Sequence, residues 1–333
     1  MRNLFEDVVD LEQQHPNFIA LKQADRRIIV EEILVWAEGF IDRDGNDKFR
    51  KEFQTTFNSS FWELYLFAIF KTLGYDVDFE HNAPDFCFKG TDFVVEAVTA
   101  NAALGDLPEW QKTFEGVAEA DVKVQQAISI ERLSNSVHSK HEKYLRSYRE
   151  LSQCSDKAFI IAIGNYSTQD FFQLGDVALQ KLLYDDDNEM QLTKRNGASI
   201  DLGLFKKDEF KTVSAVIYSS TATTGKARAL RDKSGSSIFR ATRIKNLTTP
   251  IQIHEPSGTY YETLADGLRV FHNPNAETPL SSDSFAGDED IMQFFFDKEG
   301  KAGHQFSPRG DLAMRQVMNF VTYTTKDETQ GNS

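Results

Sequence analysis

The sequence predicts an α/β fold: a mixed sheet flanked by helices, preceded by an N-terminal helical segment and followed by a β-rich, loop-rich region. Three observations carry that expectation. Apolar residues recur at helical spacing through residues 24–73, short apolar runs of strand length stand between 75 and 163, and a helix-length stretch separates the last of those runs from the rest. This order of elements belongs to layered α/β chains. With 333 residues and a formal net charge of −14, the chain can hold one large or two medium domains, each with a core. The acidic balance argues against non-specific coating of nucleic acid, while a local basic groove stays compatible with it.

The first element is a helix over residues 24–41, where Ile28, Ile29, Ile33, Trp36 and Phe40 share one stripe. The next stretch, DRDGNDKF, sets Asp42, Asp44 and Asn46 at the alternating positions of a calcium loop. It has Asp47 where the turn needs Gly and Phe53 where a bidentate Glu belongs, so it reads as a polar loop. A second helix is predicted from Lys48 to Leu73, stopped by Gly74. Three strands follow in YDVDFE, PDFCF and DFVVEAVT, then a long helix from Phe114 to Leu151, a strand in AFIIAI and a helix from Thr168 to Tyr184. Beyond Asp185 turn residues become frequent. Strands are predicted at Thr212 to Ser220 and Ser237 to Arg243, and an exposed acidic loop at 281–290. The expected division is a helical segment 1–50, an α/β core 51–185, a β-rich accessory region 186–324 and a disordered tail 325–333. Cys87 and Cys154 stand far apart with no CxxC pair, and no apolar run approaches the ~20 residues of a membrane span; a soluble cytoplasmic protein is expected.

Glu63 lies inside FWELYLFAIF, Asp85 inside APDFCF and Glu96 inside FVVEAV. An unpaired carboxylate in apolar surroundings costs several kcal/mol or more, so three in one region imply a shared partner. In DFVVEAV, Val94, Glu96 and Val98 share one face of a strand. If that strand pairs with the Asp85 segment, the two acids converge, and Glu63 reaches in from the preceding helix. Carboxylates of this kind suit Mg²⁺ or Mn²⁺, which takes its other ligands from water and a phosphate. Taken alone, Glu63 could instead pair with an arginine, and Pro84-Asp85 could be an ordinary turn.

A helical Glu, then Pro-Asp opening a strand, then Glu on the next strand resembles the PD-(D/E)xK nuclease superfamily, the restriction-endonuclease-like fold. The resemblance covers residues 55 to 165 through Glu63, Pro84-Asp85 and Glu96. It implies metal-dependent hydrolysis of nucleic acid, DNA more than RNA, with Asp85 and Glu96 holding the Mg²⁺ or Mn²⁺ and Glu63 assisting directly or through water, with a role in restriction or defence, and it leaves room for a homodimer. The pattern departs at Val98, where the family places a lysine. Lys140 falls on the apolar stripe Leu133, Val137, Tyr144, Tyr148 and Leu151 of the long helix, and Lys140 to Tyr144 stands where some members carry Gln-x-x-x-Tyr. Lys140 is therefore expected to replace the missing lysine, or else to run to the surface along its own stem. The missing lysine equally suits a non-catalytic descendant that binds nucleic acid or a protein partner.

A basic island, Lys226, Arg228, Arg231, Lys233, Arg240, Arg243 and Lys245, contains one acid, Asp232, in an otherwise acidic chain. It is the predicted nucleic-acid contact, with an exposed, solubilising hairpin as the alternative. Gly225-Lys226 is no phosphate loop, because Ser220 and Ala227 occupy its required Gly and Ser/Thr positions.

Overall fold

The computed structural model describes residues 4–112, 121–173, 175–185, 192–246, 249–297, 302–304 and 307–319, apart from positions 44 and 46. Asp44 and Asn46 of the calcium-like loop, the start of the long helix at Phe114 and the tail 325–333 lie outside the described residues. Helix α1 (Pro16–Leu21) opens with proline and a cap from the His15 side chain to the Asn17 N–H. Helix α2 (Arg27–Trp36) buries Ile29, Ile33 and Trp36 from the predicted stripe. The single helix predicted from Lys48 is two, α3 (Lys48–Thr55) and α4 (Phe57–Thr72). The break has a local cause: the Thr55 and Thr56 hydroxyls bond back to the carbonyls of Lys51 and Glu52, a contact that bends helices. Gly74 ends α4 with φ +82°.

Strands β1 (Val77–Asp78) and β2 (Cys87–Phe88) pair antiparallel. Next come β3 (Phe93–Asn101), α5 (Val122–Lys143), a π-helical turn (Tyr144–Tyr148), β4 (Ala158–Tyr166), α6 (Val177–Tyr184), the short pair β5 (Leu192–Thr193) and β6 (Ser199–Ile200), β7 (Ala215–Ser219) and α7 (Thr224–Arg231). The remainder is β8 (Ser237–Lys245), β9 (Thr249–Pro256), β10 (Arg269–His272), β11 (Met292–Phe296), β12 (Ala302–His304) and β13 (Asp311–Asn319).

The main sheet is mixed, in the order β12-β11-β10-β7-β4-β3. Strands β3, β4 and β7 are parallel, β10 is antiparallel to β7, and β11 is parallel to β10. Alternation sorts the side chains: Phe93, Val95, Ile160, Ala162 and Ile217 pack with α2, α3 and α4, whereas Val94, Phe159, Ile161, Ile163 and Val216 pack with α5 and α6. The expected boundary between 185 and 186 is corrected here. Every residue of β4 is buried, and the strand has a paired neighbour on each side, β3 on one and a second on the other. That neighbour is β7, from beyond the boundary, and β10, β11 and β12 extend the same sheet. The second sheet, β13-β8-β9, is antiparallel. The acidic loop predicted at 281–290 is only partly exposed, because Phe285 and Asp290 are buried. Among the described residues no helix is long and apolar enough to cross a membrane.

Candidate active site at the free edge of β3

The edge of the main sheet is β3, and its outer neighbour is short. Phe86 and Val95 exchange both backbone hydrogen bonds at 2.9 Å, which fixes the register of the Asp85 segment against β3. Asp85 lies one residue before that bridge and Glu96 one after it. The Asp85 N–H donates to Glu96 Oε2 at 3.3 Å, and the Ala97 N–H donates to Asp85 Oδ2 at 2.8 Å. The turn before Asp85 is held by Arg43, whose guanidinium donates to the carbonyls of His81 and Asp85 at 2.6 and 2.7 Å.

Glu96 is fully buried, on the face of β3 that meets α5. Two ammonium groups reach its Oε1: Lys140 Nζ at 2.6 Å and Lys143 Nζ at 2.8 Å. The Tyr148 hydroxyl donates to the same oxygen at 3.4 Å. Lys140 thus turns inward, with 18% of its side chain exposed, and does not run to the surface. The sequence pattern links neither Lys143 nor Tyr148 to Glu96. Lys143 is off the apolar stripe, and only its three-residue offset from Lys140 could have signalled it. Tyr148 is brought round by the π-helical turn, closed by the Arg149 N–H bonding to the Tyr144 carbonyl at 3.0 Å. A wider turn sets residues five apart one above the other, and Lys143 Nζ stands 5.0 Å from the Tyr148 ring centre. Tyr144, the tyrosine of the expected pair with Lys140, instead stacks on Phe159 with ring centres 4.0 Å apart.

Electrostatics separate these groups. Burial would lower the Lys143 ammonium, but hydrogen bonds to Glu96 and Tyr148 overcome it and hold it above the usual lysine range. Burial raises the Tyr148 hydroxyl to about 12. Asp85 rises to about 6 through burial and the charge of Glu96, against the pull of Lys140. Glu63, half-buried on α4, rises to about 8 through burial and the charge of Asp85. Glu63 finds no arginine ion pair among the described residues; Arg43 acts on it only through its charge.

Among the described residues no three His, Cys, Asp or Glu side chains form a ready ligand set for a metal ion. Glu96 Oε1 is engaged by two lysines, which leaves Glu63 and Asp85 as the carboxyls with ligating capacity. Mg²⁺ commonly takes only one or two carboxylates beside water and phosphate. Neither of these two acids makes an ion pair among the described residues, although Lys140 and Lys143 pull on Asp85 and Arg43 pulls on Glu63 through their charge. Of the three acids expected to hold Mg²⁺ or Mn²⁺, Glu96 faces the lysines, so Asp85 and Glu63 are the two that would hold a divalent cation.

The basic island is placed differently from expectation. Lys226 is fully buried; it pairs with Glu262 and donates to the carbonyls of Thr263 and Asp266. Arg228 is buried against Ser237 and the Asp25 carbonyl, and Arg243 forms a two-pronged pair with Asp266 at 2.6 and 2.8 Å. As a nucleic-acid surface the island is thereby corrected, since these three charges point into the protein. Arg231 pairs with Glu31 and Glu32, which leaves Lys233, Arg240 and Lys245 as exposed members with no ion pair among the described residues. Comparison of the chain with protein-family models, curated proteins and solved structures gives no match.

Proposed function

We propose that this protein is a metal-dependent nuclease with a restriction-endonuclease-like core, hydrolysing phosphodiester bonds of DNA at the β3 edge. One observation carries the reading: Glu96 and Asp85 meet across a two-strand register while α5 brings Lys140 and Lys143 onto Glu96. An ammonium thus stands beside the second acid although the strand has Val98 where a lysine would be. Bound at Asp85 and Glu63, a divalent cation would activate water and neutralise charge on the phosphate. Lys140 and Lys143 hold positive charge where negative charge gathers in the transition state, and Glu96 fixes their ammonium groups in place. By the same resemblance the setting is restriction or defence inside the cell.

A second reading, a nuclease-fold protein that binds without cutting, draws on the engagement of Glu96 Oε1 by two lysines. One assay separates the two. Purified protein is incubated with supercoiled, linear and single-stranded DNA and with RNA, with and without Mg²⁺ or Mn²⁺, beside Asp85→Ala and Lys140→Ala. Metal-dependent cleavage lost in Asp85→Ala is expected; cleavage indifferent to Asp85→Ala would remove the proposed centre, and binding without cleavage would favour the second reading.

A further inference from the structure

The edge of β3 continues beyond the acid centre. The N–H and C=O of Val95 face Phe86, and the N–H of Ala97 faces Asp85. Backbone groups alternate along a strand, so Thr99 and Asn101 present theirs to the same side. No strand pairs there among the described residues. The Asn101 carbonyl is met instead by Arg132 Nε at 2.8 Å, while the outward N–H groups of Thr99 and Asn101 have no hydrogen-bond partner among the described residues.

Helices wall this edge on both sides. On α4, Ser59 stands one turn before Glu63 and bonds Thr99 Oγ1 at 2.9 Å. On α5, Arg132, Ser136 and Lys140 follow at four-residue steps, and the Ser136 hydroxyl bonds the Arg132 carbonyl. The span from Arg132 to Lys140 is about 12 Å of helix, and that from Ala97 to Asn101 about 13 Å of strand. The two rows run alongside each other from the acid centre to Asn101. The Asn101 amide is fixed from behind by Asn58, which also binds the buried Glu109. Arg132 is half-buried and makes no ion pair among the described residues. A half-buried guanidinium without a carboxylate, beside two unused backbone donors, calls for an anion.

We propose that the Thr99–Asn101 edge is a phosphate track. One strand of nucleic acid continues from the acid centre along it, and its phosphate oxygens accept from the Thr99 and Asn101 N–H groups and from Arg132. The proposal rests on the nuclease reading of the acid centre and adds the substrate class: a single strand, since a sheet edge between two helices takes one backbone and not a duplex. Contacts of this kind position the strand without reading its sequence.

The test uses the full chain and a fluorescent single-stranded oligodeoxynucleotide, with binding followed by anisotropy over a range of salt without divalent cation. Thr99→Pro removes one outward N–H at an edge position, where proline is tolerated; Arg132→Gln removes the charge and keeps a donor for the Asn101 carbonyl. Each variant is expected to weaken binding about 5–20-fold. Arg132→Gln should also reduce the salt slope by about 0.7, the value for one phosphate contact on a single strand. Thr99→Pro should leave the slope unchanged, and Arg132→Lys should restore it. Thermal melts confirm folding, and if Thr99→Pro does not fold, the Arg132 slope decides alone. Unchanged affinity and slope in Arg132→Gln, absence of single-strand binding by the parent protein, or an equal loss on duplex DNA would overturn the track. Cleavage that needs Asp85 alongside Arg132-independent binding leaves the nuclease reading and removes the track; Arg132-dependent binding alongside Asp85-independent cleavage does the reverse.

Discussion

Two charged clusters lie inside this protein, and they are built in opposite ways. Between α7, β10 and β13, four cations, Lys226, Arg243, Arg269 and Arg315, face four acids, Glu262, Asp266, Asp311 and Asp176. At the β3 edge, two lysines both meet one oxygen of Glu96, and Asp85 and Glu63 make no ion pair among the described residues. Asp266 and Asp85 register the contrast, although burial raises Asp311 in the paired cluster as well. Burial pushes Asp266 up, yet the bond from Arg243 holds it below the usual carboxylate range. Asp85, with no comparable partner, is carried up to about 6. Buried charge in which each ion meets an opposite one closes a seam between sheets; charge left half-paired at an open edge is available to a ligand.

The contrast breaks most sharply under paired substitutions. Asp85→Asn should lower DNA cleavage at least about 10³-fold, some 4 kcal/mol of transition-state stabilisation, with a melting temperature unchanged or raised. Asp266→Asn should do the opposite, costing about 3–5 kcal/mol of folding stability by leaving Arg243 buried and unpaired, while the folded fraction cleaves normally. Urea unfolding and cleavage rates on both variants check this. An Asp85→Asn protein that unfolds as readily as Asp266→Asn would show that the two clusters do the same structural job.

The lysines sharpen the comparison at a smaller scale. Both ammoniums share Glu96 Oε1, so each can cover in part for the other. Lys140→Met and Lys143→Met should each slow cleavage about 10-fold and the double variant about 10³-fold, a non-additivity expected of groups on one partner. Additive losses would mean that the lysines serve separate ends of the reaction.

How far the sequence foretold these features depends on the kind of signal. Glu96 was legible because a charged residue within FVVEAV has few other uses, and Asp85 because period-two alternation requires the two acids to meet if their strands pair. Lys140 was legible as a charge on an apolar stripe. Tyr148 could be placed on that stripe but not at Glu96, since its position depends on a π-helical turn that local composition does not announce. The basic island misled for a related reason. Clustered Lys and Arg look exposed in sequence, while their partners Glu262, Asp266 and Asp25 lie far away along the chain and become neighbours only in the fold. The domain boundary failed likewise: nothing between 186 and 214 reveals that β7 will dock beside β4.

The smallest expected effect is the pH dependence of the metal-free protein. Glu63 ordinarily titrates near 4.5 and here near 8; Asp85 moves from 3.8 to about 6. Both therefore hold protons in the folded state at pH values where the unfolded chain has released them. The share of stability carried by these two groups should be full below about pH 4, be lost as pH rises from about 4 to 8 and level off above that, opposite in sign to the share carried by paired acids such as Asp266. Glu63→Gln should flatten the upper part of this decline, since an amide bears no charge to bury. Added Mg²⁺ should oppose the decline more strongly as pH rises, because cation and proton compete for the same oxygens. Urea midpoints in chelator from pH 4 to 9, for the parent protein and Glu63→Gln, measure the difference; parallel curves would mean that Glu63 is not the group whose ionisation strains the β3 edge.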